Sequence, residues 1–297
     1  MIENKKILIL GASGFIGGHM FRQLGPDRAI AAVYKSAVEN SVYFDVLKME
    51  LADVIDDPAT IGHAMVFFGE THPDACAANP EWSQRLNVDC TKQVIDQLIE
   101  WGVPLTFTSS EFVFDGGRGR NVESDPVNPI NLYGRQKLEI ERYLDAVGGE
   151  WTVMRLGKVF GSDRANAKLF AGWIDAVEAG TPVRIASDQI FSPIHVRDVV
   201  DGCLLAARKS ARGLYHLCGS RPYSRLELFE MLVAEIGNYR EVDIEVDICS
   251  IEDFDLPEPR PKDCSMLPDK MIAAIGLEIT PIETICRKIV RNHYGDG

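Results

Sequence analysis

Short apolar runs alternate with longer stretches of helical pattern through the first half of the chain. The runs are rich in Ile, Val, Leu and Ala, which is typical of strands that are buried on both faces. Alternation of such strands with helices predicts an α/β fold with a doubly wound parallel sheet. The predicted strands are Lys5–Leu10, Ala29–Tyr34, Ala64–Phe68, Leu105–Thr108 and Thr152–Leu156.

One helix of this half is marked at both of its ends. Asn79 is a suitable N-cap, Pro80 fits the first turn, and Gly102 follows the end of the apolar pattern at about Trp101. The sequence therefore predicts a helix from Pro80 to about Trp101. Asn87 is unfavourable inside it, so its amide is expected to brace the neighbouring strand or a proton-relay water.

The pattern changes after about residue 157, where predicted elements become shorter and loops more frequent. We therefore predict a first domain over 1–157 and a smaller lobe over 158–297, with some lobe segments returning to the first domain. The proline-dense segment 255–261 predicts an extended connector.

Two capping boxes predict helix starts in the lobe. Ser224 is followed three residues later by Glu227, and Thr280 is followed by Glu283. In this pattern the two side chains cap each other's main-chain N–H groups. The second box predicts a carboxy-terminal helix that ends at about His293.

Acidic residues outnumber basic ones by 44 to 31 among the 297 residues, which gives a net charge of −13. General electrostatic attraction to nucleic acid or to an anionic membrane is therefore not expected. No apolar run reaches the roughly 18 residues of a membrane span, and the amino terminus leads into a strand without a cleavage signal. We expect a cytoplasmic protein.

The seven cysteines suggest neither a disulfide framework nor a zinc site, because the nearest pair, Cys76 and Cys90, is 14 positions apart. We predict that the cysteines are buried small side chains. His63, His72 and His216 have no partners at ligand spacing and are expected to be structural. No metal site is predicted.

Three glycines follow the first predicted strand at intervals of three, and a helical pattern starts among them. Such a turn brings main-chain N–H groups and the positive end of a helix close to a pyrophosphate. A glycine turn without a ligand is the alternative. The predicted dinucleotide-binding residues here are Gly11, Ser13, Gly14, Phe15, Ile16 and Gly17.

The end of the second strand indicates which dinucleotide is preferred. An acidic residue is expected there for a ribose 2′-hydroxyl, but Lys35 occupies the place. A cation favours a 2′-phosphate, so NADP(H) is predicted over NAD(H), although an ordinary solvated lysine is the alternative. Asp45 and Val46 are expected at the adenine edge, unless Asp45 is an exposed helix cap. Phe68 and Gly69 are expected to touch the cofactor.

Tyr133 and Lys137 lie four positions apart, on one face of a helix, and Ser110 follows a strand. Beside a nicotinamide these groups predict a carbonyl-reduction site without a metal. Tyr133 would protonate the developing alkoxide, Ser110 would donate a hydrogen bond to it, and Lys137 would lower the pKa of the phenol and bind the ribose. The alternative is a buried tyrosine and a surface lysine without a catalytic role.

The chain resembles the extended short-chain dehydrogenase/reductase superfamily and, within it, the dTDP-4-dehydrorhamnose reductase family. The resemblance covers nearly the whole length. It rests on GASGFIGG (11–18), LNVDCT (86–91), SSEFVFDG (109–116), the run from Glu123 to Lys137, MRLGKVFG (154–161), SPIHVRDV (192–199) and RPKDCSMLPDKM (260–271).

The resemblance implies a Rossmann domain for NADPH or NADH and a small carboxy-terminal lobe for a nucleotide-sugar substrate. The implied activity is reduction of a 4-keto-6-deoxyhexose. The hydroxyl, phenol and lysine of the family fall on Ser110, Tyr133 and Lys137. A homodimer, sometimes assisted by magnesium, would also agree with the resemblance.

Several positions depart from the family pattern. Glu111 follows Ser110 where the family has Thr-Asp, and we place Glu111 at the substrate. Phe68–Glu70 replaces the common Asn-Ala-Ala, so the cofactor and substrate contacts that the family makes there are not carried over to these positions. Phe112 stands where related dehydratases carry a glutamate, so elimination of water is not expected. Arg260 is expected on the diphosphate of the sugar nucleotide, with a surface arginine as the alternative.

Two other functions compete with that of a reductase. The first is a non-catalytic NADP-binding subunit resembling the regulatory subunit of methionine adenosyltransferase, which shares the fold and also has Ser-Ser before a Val-Phe-Asp-Gly run. The second is a sugar-nucleotide epimerase, which would retain oxidised cofactor and consume no NADPH.

Overall fold

A seven-stranded sheet forms the centre of the protein. The computed structural model describes residues 5–163, 167 and 169–295. Its strands are β1 (Lys6–Leu10), β2 (Ala29–Val33), β3 (Ser41–Tyr43), β4 (Ile61–Val66), β5 (Leu105–Ser110), β6 (Trp151–Leu156) and β11 (Gly213–Leu217). All neighbouring strands of the sheet are parallel, in the order β11-β6-β5-β4-β1-β2-β3. The predicted α/β class and parallel sheet are confirmed.

The strand order reverses beside β1, since β2 and β3 lie on one side and β4, β5, β6 and β11 on the other. In open α/β sheets, ligands bind at the carboxyl ends of the strands where the order reverses. The fold thus places a crevice after Leu10 and Val66, which end the neighbouring strands β1 and β4.

Helices cover both faces of the sheet. Ile7 and Ile9 of β1 belong to the core on one face, and Leu8 and Leu10 belong to the core on the other. This alternation explains the unbroken apolar run, because successive side chains of a strand point to opposite faces. The helices that contribute to these cores are α1 (Phe15–Leu24), α7 (Val196–Arg208) and α9 (Asp269–Ile275) on the first face, and α4 (Cys90–Glu100) and α5 (Leu132–Val147) on the second.

The helix predicted from Pro80 is present, but it is not a uniform α-helix. Asn79 accepts a hydrogen bond from the Trp82 N–H at 3.3 Å, as expected of an N-cap. An α-helical turn, α3 (Pro80–Gln84), leads into a π-helical segment at Arg85–Asp89 and then into α4. Such π segments contain an extra residue within a helix. A short helix, α2 (Pro73–Ala78), precedes α3.

The smaller lobe has its own hydrophobic core, in which Trp173 packs edge to face against both Phe170 and Phe229. The remaining elements of the second half are β7 (Val159–Phe160), α6 (Leu169–Ala179), β8 (Val183–Ala186), β9 (Ile190–Phe191), β10 (Ile194–His195), β12 (Tyr223–Ser224), α8 (Arg225–Ile236), β13 (Val246–Cys249) and α10 (Ile282–Tyr294). The short strands form three two-stranded pairings, β7 with β10, β9 with β12 and β8 with β13.

One of the two predicted capping boxes is present and the other is wrong. Ser224 and Glu227 cap each other's main chain at the start of α8. Thr280 does not cap α10, because its hydroxyl donates a 2.9 Å hydrogen bond to Asp198. Glu283 instead accepts a 2.6 Å hydrogen bond from the Tyr223 hydroxyl. Partners from other elements thus outcompete the local capping pattern.

The connector 255–261 contains neither helix nor strand, as predicted, and it crosses from the lobe to the start of α5. Glu258 accepts a hydrogen bond from the Leu132 N–H at 2.7 Å. The Asn131 amide donates to the Pro259 carbonyl at 3.2 Å. The connector therefore packs beside the helix that carries Tyr133.

The seven cysteines are free thiols, and all except the half-buried Cys249 are buried, in agreement with the sequence prediction. Within the described ranges, no helix combines the length and the apolar character that a membrane crossing requires. In the same residues, no three His, Cys, Asp or Glu side chains are grouped so that they could hold a metal ion.

Candidate active site

The glycine turn after β1 packs so closely that two of its glycines have no room for a side chain. Gly11 has a φ of 92°, and a Cβ atom there would lie 2.8 Å from the Phe68 nitrogen. A Cβ atom on Gly17 would lie 2.4 Å from the Gly11 carbonyl oxygen. Gly14 is the N-cap of α1 and provides no capping side chain. The first N–H groups of α1 are therefore available for an anion.

Two cavities meet at this turn and share Gly11, Gly14, Phe67 and Gly69. The outer cavity, of about 280 Å³, extends from the turn to the end of β2. The catalytic cavity, of about 310 Å³, extends to the end of β5. Predicted site residues along the outer cavity include Ser13, Lys35, Asp45, Val46 and Phe68, and those along the catalytic cavity include Phe15, Ile16, Gly17, Ser110, Glu111, Tyr133 and Lys137. This groove suits an extended dinucleotide.

Lys35 is exposed at the end of β2, on the wall of the outer cavity. Asp45 is not the exposed cap that was the alternative, because it is only 2% exposed. Its carboxylate accepts a hydrogen bond from the Leu47 N–H at 3.1 Å and lies 3.4 Å from the Lys48 ammonium. Among the described residues that line the outer cavity, Lys35 is the one basic side chain, and its exposure leaves it accessible to a ligand phosphate.

The loop after β4 is held over the groove by Asn87 from the π-helical segment. The Asn87 amide accepts from the Glu70 N–H at 2.8 Å and donates to the Glu70 carbonyl at 3.0 Å. It also donates to Gln136 of α5 at 2.8 Å. Gly69 has a φ of 139°. Asn87 therefore fixes the loop that follows the neighbouring strand.

Ser110, Tyr133 and Lys137 all border the catalytic cavity. Ser110 ends β5, and Tyr133 lies in the first turn of α5, where Asn131 caps the Gly134 N–H at 2.8 Å. The Ser110 side chain lies close enough to the Tyr133 hydroxyl to lower the pKa of the phenol. The Lys137 ammonium donates to the Thr108 carbonyl at 2.9 Å and lies 5.7 Å from the centroid of the Tyr133 ring. The two hydroxyls are thus close enough to share one ligand oxygen.

Burial changes the proton affinities of these groups. It raises the pKa of Tyr133 above the ordinary value, and the nearby Ser110 hydroxyl opposes this shift only in part. The expected lowering of the Tyr133 pKa by Lys137 is therefore wrong for this structure. Burial also lowers the pKa of Lys137 to about 8. The phenol is consequently protonated at neutral pH, which is the state that a proton donor requires.

Glu111 and Lys158 lie beyond Ser110, on the wall that faces the lobe. Glu111 is 5% exposed, and its Oε2 atom has no hydrogen-bond partner. Burial raises the pKa of Glu111, and the positive charge of Lys158 opposes that shift. Lys158 lies deep in the cleft but remains open to solvent, and the surrounding protein lowers the pKa of its ammonium.

A third cavity, the lobe cavity, has a volume of about 270 Å³ and shares Glu111, Phe112 and Lys158 with the catalytic cavity. Arg260 lines it but is also paired with Asp74 at 2.7 Å, and its side chain is only 13% exposed. It is therefore not a freely solvated surface arginine. Arg225 lines the same cavity and donates to Gln189 at 3.0 Å.

Sequence reasoning did not single out Lys158 or Arg225. Lys158 lies within the segment 154–161, and Arg225 is the first residue after the N-cap Ser224. A lysine two residues after a buried parallel strand was the available signal, because ligands bind at that edge of the sheet. Arg225 follows no strand of the parallel sheet, so its sequence position gives no sign that it lines a cavity.

The family described as RmlD substrate binding domain matches residues 5–294. Methionine adenosyltransferase 2 subunit beta of Bos taurus is 27% identical over 239 residues, which cover 76% of this chain and 71% of that protein.

Two solved structures share the fold. A hypothetical dTDP-4-dehydrorhamnose reductase from Sulfolobus tokodaii aligns with a TM-score of 0.80 and 23% identity, covering 92% of this chain and 96% of that one. The Bacillus anthracis dTDP-4-dehydrorhamnose reductase in complex with NADP aligns with a TM-score of 0.78 and 19% identity, covering 97% and 99%.

The family match extends over nearly the whole described chain, including the glycine turn, the catalytic cavity and the lobe. The prediction of an NAD(P)-dependent enzyme of the short-chain dehydrogenase/reductase type is confirmed at the level of the family. This chain belongs to the RmlD substrate binding domain family, within the extended short-chain dehydrogenase/reductase superfamily of sugar-nucleotide reductases and epimerases.

Proposed function

We propose that the protein is an NADPH-dependent reductase of a nucleotide-activated 4-keto-6-deoxy sugar. The observation that carries this proposal is that Ser110 and Tyr133 lie side by side, with Lys137 one turn further along α5, in a cavity that continues into the glycine turn. A nicotinamide cofactor supplies the hydride when it is bound in this groove.

The residues of the chain supply the remaining chemistry. The Tyr133 phenol gives its proton to the carbonyl oxygen as that oxygen becomes an alkoxide, and Ser110 donates a hydrogen bond to the same atom. Lys137 is held by the Thr108 carbonyl and would bind the nicotinamide ribose. Phe112 packs edge to face on Tyr133 and has no proton to transfer, which agrees with reduction rather than dehydration.

The preference for NADP(H) is part of the proposal and rests on Lys35. This lysine is exposed on the wall of the outer cavity, where a cation would bind a 2′-phosphate. The Bacillus anthracis relative was solved with NADP, and another neighbour of the same fold was solved with NAD, so the fold alone does not set the preference.

The proposed partner is a nucleotide sugar that extends from Ser110 into the lobe cavity, with Arg260 at its diphosphate. Arg260 has two nitrogens engaged, one with the Glu258 carbonyl at 2.8 Å and one with Asp74. An arginine fixed in this way presents a planar set of donors at the cavity wall. A homodimer is also part of the proposal, and light scattering in solution tests it.

The test is NADPH consumption with a panel of dTDP-, GDP- and UDP-linked 4-keto sugars. The wild-type protein should oxidise NADPH with at least one of them. Tyr133→Phe should lower the rate by about 10²- to 10⁴-fold while it leaves the affinity for NADPH unchanged, because only the proton donor is removed. Equal inactivity of both proteins would reject the reductase function.

A regulatory subunit is the second candidate, and the similarity to methionine adenosyltransferase 2 subunit beta favours it. The measurement is co-elution with a methionine adenosyltransferase catalytic subunit and the change in its activity. A tight complex together with no NADPH consumption would support this candidate. Retained oxidised cofactor and sugar interconversion without net NADPH use would instead indicate an epimerase.

A further inference from the structure

Lys158 lies where the catalytic cavity joins the lobe cavity. It follows β6 and borders both spaces, together with Glu111 and Phe112. Its side chain is open to solvent although it lies deep in the cleft. In the part of the chain that the structure describes, its ammonium forms no ion pair within 4 Å. Up to three hydrogen-bond donors therefore face the cleft.

The charges around Lys158 are unequal on its two sides. The Glu111 carboxyl, with its unpartnered Oε2, is the acidic group whose charge most favours the ammonium. Arg225 and Arg260 act from the lobe side with the opposite sign, and the Cys264 thiol adds to the effect of Glu111. Glu111 is buried, whereas Lys158 is accessible, so Lys158 is the member of the pair that a ligand meets.

The position of Lys158 decides which part of a substrate reaches it. A sugar whose carbonyl oxygen lies at Ser110 and Tyr133, and whose diphosphate lies at Arg260, must pass Lys158 between these points. The atoms that pass there belong to the sugar ring near the ketone. When both groups are ionised, Glu111 already balances the charge of Lys158, so a neutral hydroxyl suits this place better than a second anion.

We propose that Lys158 is a specificity-determining residue that donates a hydrogen bond to a hydroxyl on the sugar carbon beside the reacting ketone, and that Glu111 is the buried residue that positions it. This inference rests on the proposed reductase function and narrows its substrate class. The substrate is then a nucleotide-linked keto sugar that retains a free hydroxyl next to the carbonyl.

The first experiment combines a substrate change with a protein change. A dTDP-linked 4-keto-6-deoxy sugar and its 3-deoxy counterpart are compared by kcat/KM in the wild type and in Lys158→Met. The wild type should prefer the hydroxylated sugar by at least about 100-fold, because the bound sugar covers the ammonium and the deoxy sugar leaves one of its donors both desolvated and unpaired. In Lys158→Met the preference should fall below about 10-fold.

The control is Lys209→Met, which makes the same change at an exposed lysine outside the three cavities. It should retain the wild-type preference. A purely structural Lys158 would slow both sugars equally when it is replaced, and that result would overturn the proposal. A wild type that does not discriminate between the two sugars would overturn it as well.

Glu111→Gln tests the positioning residue through a pH profile. The substitution keeps the shape of the side chain but removes the negative charge that favours the protonated amine. The pKa of Lys158 should therefore fall, and the alkaline limb of kcat/KM for the hydroxylated sugar should move to lower pH. An unchanged alkaline limb would contradict the role that we assign to Glu111.

Calorimetry separates this inference from the proposed function. The NADP⁺-loaded protein is titrated with the reduced forms of the same two nucleotide sugars, so no turnover is needed. A preference for the hydroxylated form that disappears in Lys158→Met would support the inference even if NADPH were never oxidised. Reduction without such a preference would leave the reductase function intact and reject the inference. Absence of binding by either sugar would reject the inference too.

Discussion

The outer cavity and the lobe cavity differ in what forms their polar surfaces. Around the glycine turn, main-chain N–H groups and the start of α1 provide the polar contacts, and glycines keep the space open. In the lobe cavity, charged side chains from separate segments provide them, namely Lys158, Arg225 and Arg260. A main-chain site accepts any pyrophosphate of the correct shape, whereas a side-chain site can change its ligand by single substitutions.

This difference indicates where specificity resides. Main-chain groups are the same in every sequence, so the outer cavity can select only through a few additions such as Lys35. The polar contacts of the lobe cavity come from side chains instead, so its selectivity depends on which residues occupy a few positions. Variants in the outer cavity should therefore change cofactor binding, whereas variants in the lobe cavity should change the choice of substrate.

After Tyr133→Phe, the largest effect is expected at Ser110, which lies between the outer cavity and the lobe cavity. Ser110→Ala should lower kcat for the keto sugar by about 10²- to 10³-fold, because a donor to the developing alkoxide is lost. NADPH affinity, measured by fluorescence titration, should not change. Ser110→Thr retains the hydroxyl and should retain most of the activity. A fully active Ser110→Ala protein would remove Ser110 from the mechanism.

Neighbouring glycines test the main-chain character of the turn. Gly17→Ala should lower the free energy of unfolding by about 1–3 kcal/mol and weaken NADPH binding, because its Cβ would meet the Gly11 carbonyl oxygen at 2.4 Å. At Gly18 the nearest contact would be an ordinary 3.4 Å. Gly18→Ala should therefore be neutral or stabilising by up to about 1 kcal/mol. Denaturant unfolding of both variants measures the difference, and equal destabilisation would contradict it.

Lys35 tests whether one side chain is enough to select at the main-chain end. Lys35→Met should raise the Kd for NADPH by about 10- to 100-fold, since a charge-assisted bond to the 2′-phosphate is lost. The Kd for NADH should stay the same, and added salt should reduce the difference between wild type and variant. If both cofactors weaken equally, Lys35 does not read the 2′-phosphate.

The smallest effect is a loss of folding stability on acidification, and it should not depend on ligands bound in the outer cavity or the lobe cavity. His63 and His216 are buried in the sheet region, and burial lowers the pKa of each to about 3. The unfolded chain binds protons near pH 6.5, so acidification below that value favours unfolding. From pH 7 to 5.5 each histidine should cost about 1 kcal/mol of stability. Urea unfolding at both pH values tests this, and NADPH binding should not alter the loss.

Local sequence was sufficient for elements whose partners lie nearby in the chain. The N-cap at Asn79 and the box at Ser224 agree with the structure because both partners are within one helical turn. Thr280 has the same local pattern, but its hydroxyl donates its hydrogen bond to Asp198 of another helix. The short edge strand β3 and the returning strand β11 were not predicted, because their pairing partners, rather than their own sequence, define them.

The candidate site divides in the same way. Ser110, Tyr133 and Lys137 share one cavity because a strand end and a helix start determine where they lie. The predicted direction of the Tyr133 pKa shift was wrong, because the sequence does not reveal how deeply the phenol is buried. Lys158 and Arg225 belong to segments far apart in sequence, and only the folded lobe brings them to one cavity.

The π-helical segment at Arg85–Asp89 makes the loop above the groove sensitive to residue count. A single extra residue rotates everything downstream by about 100° in an α-helix. The segment therefore lets Asn87 face Glu70 while Ile95 and Leu98 of α4 still face the sheet. After a one-residue deletion there, Asn87 could no longer face Glu70 while Ile95 and Leu98 face the sheet. Insertions and deletions in this stretch should thus be far less tolerated than substitutions.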